Sequence, residues 1–223
     1  MNISTWLKHA AEHLKNAGIT SAQLDAELLL ANTLRKNRTY LHAHLDEEID
    51  PRRVDIAEAR LSLRLDRVPL AYILGKKEFY GRNFSVSPSV LVPRPESEEM
   101  INLLLKLAPQ DDQPRTLIDI GTGSGCLGIT AALELPDNWH VVLSDISPKA
   151  LLVAEKNAKK LGAKIFTQKQ SLLLGQFEKL DCILANLPYV DKDWKNTSPE
   201  LRHEPSEALY ASEGGLKLIR ELI

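Results

Sequence analysis

The stretch TLIDIGTGSGCLGITAALELP, residues 116–136, constrains the fold more than any other. An apolar run with β-branched residues meets three alternating glycines, Gly121, Gly123 and Gly125. An apolar segment of helical length follows directly. A strand that turns through glycines into a helix is the opening of a βαβ unit. The pattern then repeats. HVVLSDI predicts a second strand and SPKALLVAEKNAKKLG a second helix; KIFTQ is a weak strand and LDCILANLP a strong, buried one. Strands alternating with helices predict an α/β fold, a parallel sheet covered on its faces. Gly123 to Gly128 also satisfy G-x-G-x-x-G, and Asp145 ends the next strand, where a carboxylate can accept both hydroxyls of a ribose. A nucleoside-containing ligand is therefore expected at the C-terminal ends of the strands.

The chain before this unit has a different texture. Residues 1–73 predict a small all-helical bundle. In ITSAQLDAELLLANTLRK, Thr20 and Gln23 have the spacing of a capping box and Ile19 and Leu24 that of a hydrophobic staple. Leu24, Leu28, Ala31 and Leu34 mark the expected buried face. Asp50 and Pro51 read as the N-cap and first residue of another helix. Its segment EARLSLRLDR alternates in charge and predicts an exposed face. Residues 74–95 predict a β-hairpin linker, with a Gly-Arg-Asn turn and alternation through Phe84, Val86 and Pro88. Residues 96–223 then form the sheet domain. It begins with a helix over ESEEMINLLLKLA, whose LLLKL reads as a core stripe.

Composition narrows the partners. The 223 residues carry a formal net charge of -2, with no global basic footprint, so no stable nucleic-acid partner is expected. No apolar run approaches the roughly 20 residues of a membrane span, and charges interrupt the N-terminal segment where a signal peptide would need an apolar stretch. Cys126 and Cys182 lie in apolar contexts and read as reduced, buried thiols. A cytoplasmic monomer without membrane attachment is the expectation. His9 and His13 share a helix face but lack further ligands at metal spacing, so no metal site is predicted.

Up to this point a nicotinamide dinucleotide and S-adenosylmethionine fit equally. Two further features separate them. Asp119 precedes the glycines as D-x-G-x-G-x-G, an arrangement that resembles the class I S-adenosylmethionine-dependent methyltransferases. Asn186-Leu187-Pro188-Tyr189 ends the last strand, across the same crevice as Gly121 to Gly125, and is similar to the Asn-Pro-Pro-Tyr of enzymes that methylate planar nitrogens. An Asn amide, a stiff turn and a flat aromatic wall make a grip for a planar amide or amino group.

Together these residues resemble the peptide-chain release factor glutamine N5-methyltransferases, the PrmC/HemK family. Pro69, Tyr72, Gly75 and Phe79 match one family stretch, and Pro93-Arg94-Pro95-Glu96-Ser97-Glu98 matches its Pro-Arg-Pro-Glu-Thr-Glu segment. DIGTGSG, SDISPKALLVAEKNA, ANLPYV and HEPSEALYASEGGLKLIREL follow in family order, and His203-Glu204-Pro205 matches a family turn. The resemblance implies methyl transfer from S-adenosylmethionine to the glutamine amide of the Gly-Gly-Gln loop in a class 1 release factor. It implies a Rossmann-like sheet preceded by a helical, substrate-docking domain and the hairpin linker. By position, Gly121, Thr122, Gly123, Ser124 and Gly125 would line the methionine part of the cofactor. Asp145 would hold the ribose, and Ser171 and Leu172 would flank the adenine. Asn186, Leu187, Pro188 and Tyr189 would grip the glutamine, with Asn186 also near the cofactor. Arg94 and Ser97 would close the cofactor pocket from the linker.

Three departures from the family pattern stand out. Leu187 replaces the first proline, a variant shared with ribosomal RNA adenine dimethyltransferases, so RNA or DNA adenine N6-methylation is the alternative. Ser171 and Leu172 stand where an acid and often an aromatic are usual. The family also continues past the position of Ile223 with a fifth strand and a final antiparallel pair. The resemblance therefore implies a chain that stops short, with the strand before Asn186 as a bare edge, and a catalytically impaired cofactor-binding remnant is a further reading.

Overall fold

The computed structural model describes every residue except 110, 174–178, 192 and 195–197. It divides into two compact units, Met1–Leu74 and Gly75–Ile223.

The first unit is helical: α1 (Ile3–Asn16), α2 (Ala22–Leu34), α3 (Arg38–Ala43), α4 (Pro51–Leu65) and α5 (Leu70–Leu74). Side-chain oxygens of Asn2, Asn37 and Asp50 accept main-chain N–H groups at the starts of α1, α3 and α4, so three of the helices have side-chain caps. Trp6, Leu14, Leu29, Leu30 and Leu41 are fully buried between them.

Three details of this unit differ from expectation. Ser21, not Thr20, is the N-cap of α2 and makes no side-chain cap bond, while Gln23 donates to Glu27. The buried residues of α2 include Ala22, Ala26, Leu29, Leu30, Thr33 and the expected Ala31, and the expected Leu34 packs against them, but Leu24 is 43% exposed. The helix is apolar around most of its circumference, so periodicity alone does not choose a face. The charged face of α4 is also not wholly exposed. Arg64 is buried, and its Nε donates to the buried Asp25 carboxylate at 2.7 Å.

The second unit opens with a hairpin, β1 (Lys76–Phe79) and β2 (Arg82–Ser85). Its turn is Tyr80-Gly81, both at positive φ (50° and 71°), rather than Gly-Arg-Asn; Arg82 and Asn83 belong to β2. This is the twist that two-residue hairpin loops need. Tyr80 tolerates it because its N–H donates to Glu98 and its hydroxyl to Asn102. Phe79 and Phe84 pack edge-on, centroids 6.2 Å apart, in the same core as Leu117, Ile129 and Leu143. The alternation stops at Val86, for Pro88 is exposed.

A short 3-10 turn (Pro95–Ser97) leads into α6 (Glu98–Leu107), where Ile101 and Leu104 are buried. LLLKL is a core stripe only in part: Leu104 is buried and Leu105 packs against the core, while Leu103 and Leu107 are 53% and 69% exposed. The sheet follows as β3 (Arg115–Ile120), α7 (Cys126–Glu134), β4 (Trp139–Asp145), α8 (Pro148–Leu161), β5 (Phe166–Lys169) and β6 (Cys182–Ala185). All pairings are parallel, in the order β5-β4-β3-β6. The strong strand is shorter than LDCILANLP suggests and is not buried on both faces. Among the described residues β6 pairs only with β3, and Ile183 is 40% exposed while Leu184 is buried. Beyond it a second 3-10 turn (Pro199–His203), α9 (Ser206–Leu209) and α10 (Lys217–Leu222) pack back, with Val190 bridged to Tyr210. No helix among the described residues is long and apolar enough to cross a membrane.

Candidate active site

The parallel register places Ile120 beside Ser144 on one side and Ala185 on the other. The residues that follow these three positions converge at one end of the sheet. Gly121 and Gly123 take positive φ (68° and 54°), which folds the chain back sharply after β3. The turn is fastened from below and from the side. Thr122 N–H donates to the Ser144 carbonyl at 3.0 Å, and Gly123 N–H to Asp145 Oδ2 at 3.0 Å. Asp145 Oδ1 accepts from Ser147 N–H at 2.8 Å. Each oxygen of Asp145 thus spends one lone pair on the protein and keeps capacity for another donor.

Asp119 lies beneath the turn. Its Oδ2 accepts from Thr122 Oγ1 at 2.6 Å and from Gly128 N–H at 2.9 Å. Burial pushes its carboxyl up to about 6, against the lowering pull of those two donors. Cys126 is a free thiol pushed up to about 12 by burial, so it is no nucleophile. Cys182 is also free; both are half-buried rather than fully buried.

The crevice above the turn is lined by Gly121, Gly123, Asp145, Ser171, Leu172, Asn186, Leu187 and Pro188. Thr122, Ser124 and Gly125 do not line it. Thr122 and Ser124 are buried beneath it, and Gly125 is the N-cap of α7. Gln170, which the sequence did not single out, is in the wall. Its N–H donates to the Asp145 carbonyl and its Nε2 to the Leu172 carbonyl, holding Leu172 at a φ of 48°. Its Oε1 is buried and has no partner among the described residues. An orphaned acceptor in the wall, a carboxylate with spare lone pairs and a glycine turn together suit a ligand with hydroxyls and an amino-bearing base.

A second cavity lies next to the first and shares Leu91, Asn186, Leu187 and Ala208 with it. Arg94, Ser97 and Tyr189 line this cavity and not the crevice. Asn186 stands at the boundary, its Nδ2 donating to Ser97 Oγ at 3.2 Å. Leu187 is buried against Ile118 and Ile120, while Tyr189 is 57% exposed. Glu204 is tied to the linker segment. It is buried, accepts from Val92 N–H at 3.0 Å, and pairs with Arg94 Nη2 at 2.6 Å. The sequence signal for Glu204 was present in its motif, but nothing there named a partner 110 positions upstream. Among the described residues no group of three His, Cys, Asp or Glu side chains is placed to hold a metal.

A parallel sheet with a glycine turn after its first strand, an acid after its second and a crevice between them is Rossmann-like, and the match of the sheet domain to a methyltransferase family makes it an S-adenosylmethionine-dependent methyltransferase of that class. Residues 98–219 match the methyltransferase small domain and residues 5–75 the PrmC N-terminal domain. The release factor glutamine methyltransferase of Koribacter versatilis is 38% identical over all of this chain and 80% of its own length. Those of Bacillus anthracis and Coxiella burnetii are 36% and 37% identical at the same coverage. The chain belongs to the release factor glutamine methyltransferase family.

Proposed function

We propose that this protein methylates the side-chain amide nitrogen, N5, of the glutamine in the Gly-Gly-Gln motif of a class 1 peptide-chain release factor. One observation carries the reading: Asn186 and Leu187 belong to the walls of both cavities. A cofactor in the crevice and a glutamine side chain in the second cavity would meet at these two residues.

S-Adenosylmethionine supplies, when bound, a methyl group made electrophilic by its sulfonium. Gly121 and Gly123 bring main chain to the crevice, Asp145 offers its remaining lone pairs to the ribose hydroxyls, and Ser171 and Leu172 wall the base. Across the boundary, Asn186 Nδ2 is engaged with Ser97, which leaves Oδ1 to accept one N–H of the substrate carboxamide. The Leu187 carbonyl takes the other. Pro188 stiffens the turn and Tyr189 covers the amide plane. An amide nitrogen is a weak nucleophile because its lone pair is delocalised. Two acceptors on its hydrogens hold it in place and favour density at nitrogen as positive charge develops. Positioning of this kind is worth roughly 7–11 kcal/mol of barrier; the newly methylated nitrogen is strongly acidic while it carries its extra proton and gives that proton to water, so the site needs no strong base. Arg94 and Ser97 serve the substrate side in this reading, since they line the second cavity.

The helical unit docks the protein substrate. The protein works as a cytoplasmic monomer, without stable nucleic acid or membrane, in keeping with its net charge of -2 and free cysteines. Incubation with methyl-labelled S-adenosylmethionine and either release factor or ribosomal RNA tests this. Label is expected in the Gly-Gly-Gln peptide; label in RNA would overturn the assignment.

A further inference from the structure

The side chain on which that reading turns is held at one described contact, and the contact leads to a buried carboxylate far away in sequence. Asn186 Nδ2 donates to Ser97 Oγ at 3.2 Å. Ser97 sits in the 3-10 turn Pro95–Ser97, and its N–H donates to the Arg94 carbonyl at 3.1 Å. Arg94 and Val92, which lead into that turn, are both bound by Glu204. Its Oε2 accepts Val92 N–H at 3.0 Å and its Oε1 accepts Arg94 Nη2 at 2.6 Å. The Glu204 side chain is 1% exposed against 35% for Arg94, so the carboxylate is the fixed end of the pair. Glu204 lines neither cavity, whereas Arg94, Ser97 and Asn186 all line the second.

We infer that Glu204, Arg94 and Ser97 form a strut whose function is to set the Asn186 carboxamide across the boundary between cofactor and substrate. Ser97 and Glu204 are positioning residues. The inference rests on the reading that Asn186 grips the substrate amide. Without a partner, a half-buried Asn side chain is free to turn about two torsions, and its acceptor leaves the line between the cavities. The Ser97 hydroxyl removes that freedom. It does so only if residues 92–97 stay where the carboxylate holds them. A buried carboxylate taking one main-chain and one guanidinium donor makes two charge-assisted bonds, the strong kind. Glu204→Gln removes the charge and one of the two acceptor atoms.

The test compares Ser97→Ala, Ser97→Thr, Glu204→Gln, the double variant Ser97→Ala/Glu204→Gln, and Asn186→Ala as reference. Each is measured for kcat and KM on intact release factor, for S-adenosylhomocysteine affinity by calorimetry, and for melting temperature. Ser97→Ala is expected to lower kcat roughly a hundredfold, the scale of a 1 Å misplacement, with S-adenosylhomocysteine affinity changed less than about twofold. Ser97→Thr keeps the hydroxyl and restores kcat. Glu204→Gln falls in the same direction. The double variant loses no more than the worse single one, because both act through one side chain. Full kcat in Ser97→Ala alongside a collapsed Asn186→Ala overturns the strut alone. Additive losses, or losses that follow melting temperature and cofactor affinity, also overturn it. Full kcat in Asn186→Ala instead overturns the reading of the site itself.

Discussion

Asp119 and Asp145 occupy the ends of neighbouring strands, yet their oxygens face different surroundings. Asp145 reaches the crevice, while Asp119 is sealed under the glycine turn at 1% exposure. The raised carboxyl of Asp119 has a sign that can be worked out. Below its ordinary 3.8 the group is protonated whether the chain is folded or not. As pH rises the unfolded chain ionises first, so folding loses stability until the folded value, about 6, is passed. The loss over that window is on the order of 3 kcal/mol. Asp119→Asn removes it, so urea melts of the variant should show a flatter stability profile between pH 4 and 6 than the parent; identical slopes would contradict the burial argument. Gln170 makes a second case at this scale. Gln170→Leu deletes the orphaned acceptor and releases the Leu172 carbonyl. S-Adenosylhomocysteine should bind about tenfold more weakly by calorimetry, equivalent to about 1.4 kcal/mol, near the top of the range for one hydrogen bond. Unchanged affinity would exclude Gln170 from base recognition. Neither role was legible from the chain alone. Asp119 was placed by motif, but its charge state depends on how completely the turn covers it.

At the scale of elements, the alternation of strand and helix after residue 115 was readable because β3, β4 and β6 carry apolar runs and the helices are punctuated. Ser147 caps α8 through Ala150 N–H, Pro148 follows it, and Gly162 closes it at a φ of 75°. The errors fall where local pattern is indifferent and tertiary contact decides. The face of α2, the burial of Arg64 and the exposure of Leu103 and Leu107 all depend on neighbours that periodicity does not contain. Asn157 on α8 shows the same limit. It reads as one polar residue in AEKNAKK, yet it is fully buried. Its Oδ1 accepts Ser85 N–H at 2.7 Å, and its Nδ2 donates to the carbonyls of Ser85 and Ser124. One side chain therefore ties the hairpin, α8 and the glycine turn together. Asn157→Leu strands those main-chain groups, and each buried unsatisfied group costs roughly 1–3 kcal/mol. The variant should lose several kcal/mol in urea unfolding, and a loss under about 1 kcal/mol would show that the tie is not structural.

For the molecule as a whole, the site is legible as a list of motifs but not as an arrangement. Pro-Arg-Pro-Glu-Ser, the glycine turn, Asn-Leu-Pro-Tyr and His-Glu-Pro are distant in sequence and meet only when the second unit is folded. That convergence uses residues 75–223 alone. Each unit has its own buried core, Trp6, Leu29 and Leu30 in the first and Phe79, Leu117 and Ile129 in the second. If the helical unit exists to hold a protein substrate, its removal should separate two reactions that share one chemistry. Residues 75–223 should keep S-adenosylhomocysteine affinity within a few fold and still methylate a short Gly-Gly-Gln peptide at the parent's low rate. Methylation of intact release factor should fall at least tenfold in kcat/KM, which corresponds to about 1.4 kcal/mol of lost docking. Circular dichroism first establishes that the shortened chain is folded. Equal losses on peptide and release factor, in a folded chain, would mean that the helical unit supports the catalytic unit rather than the substrate, and docking would have to be abandoned.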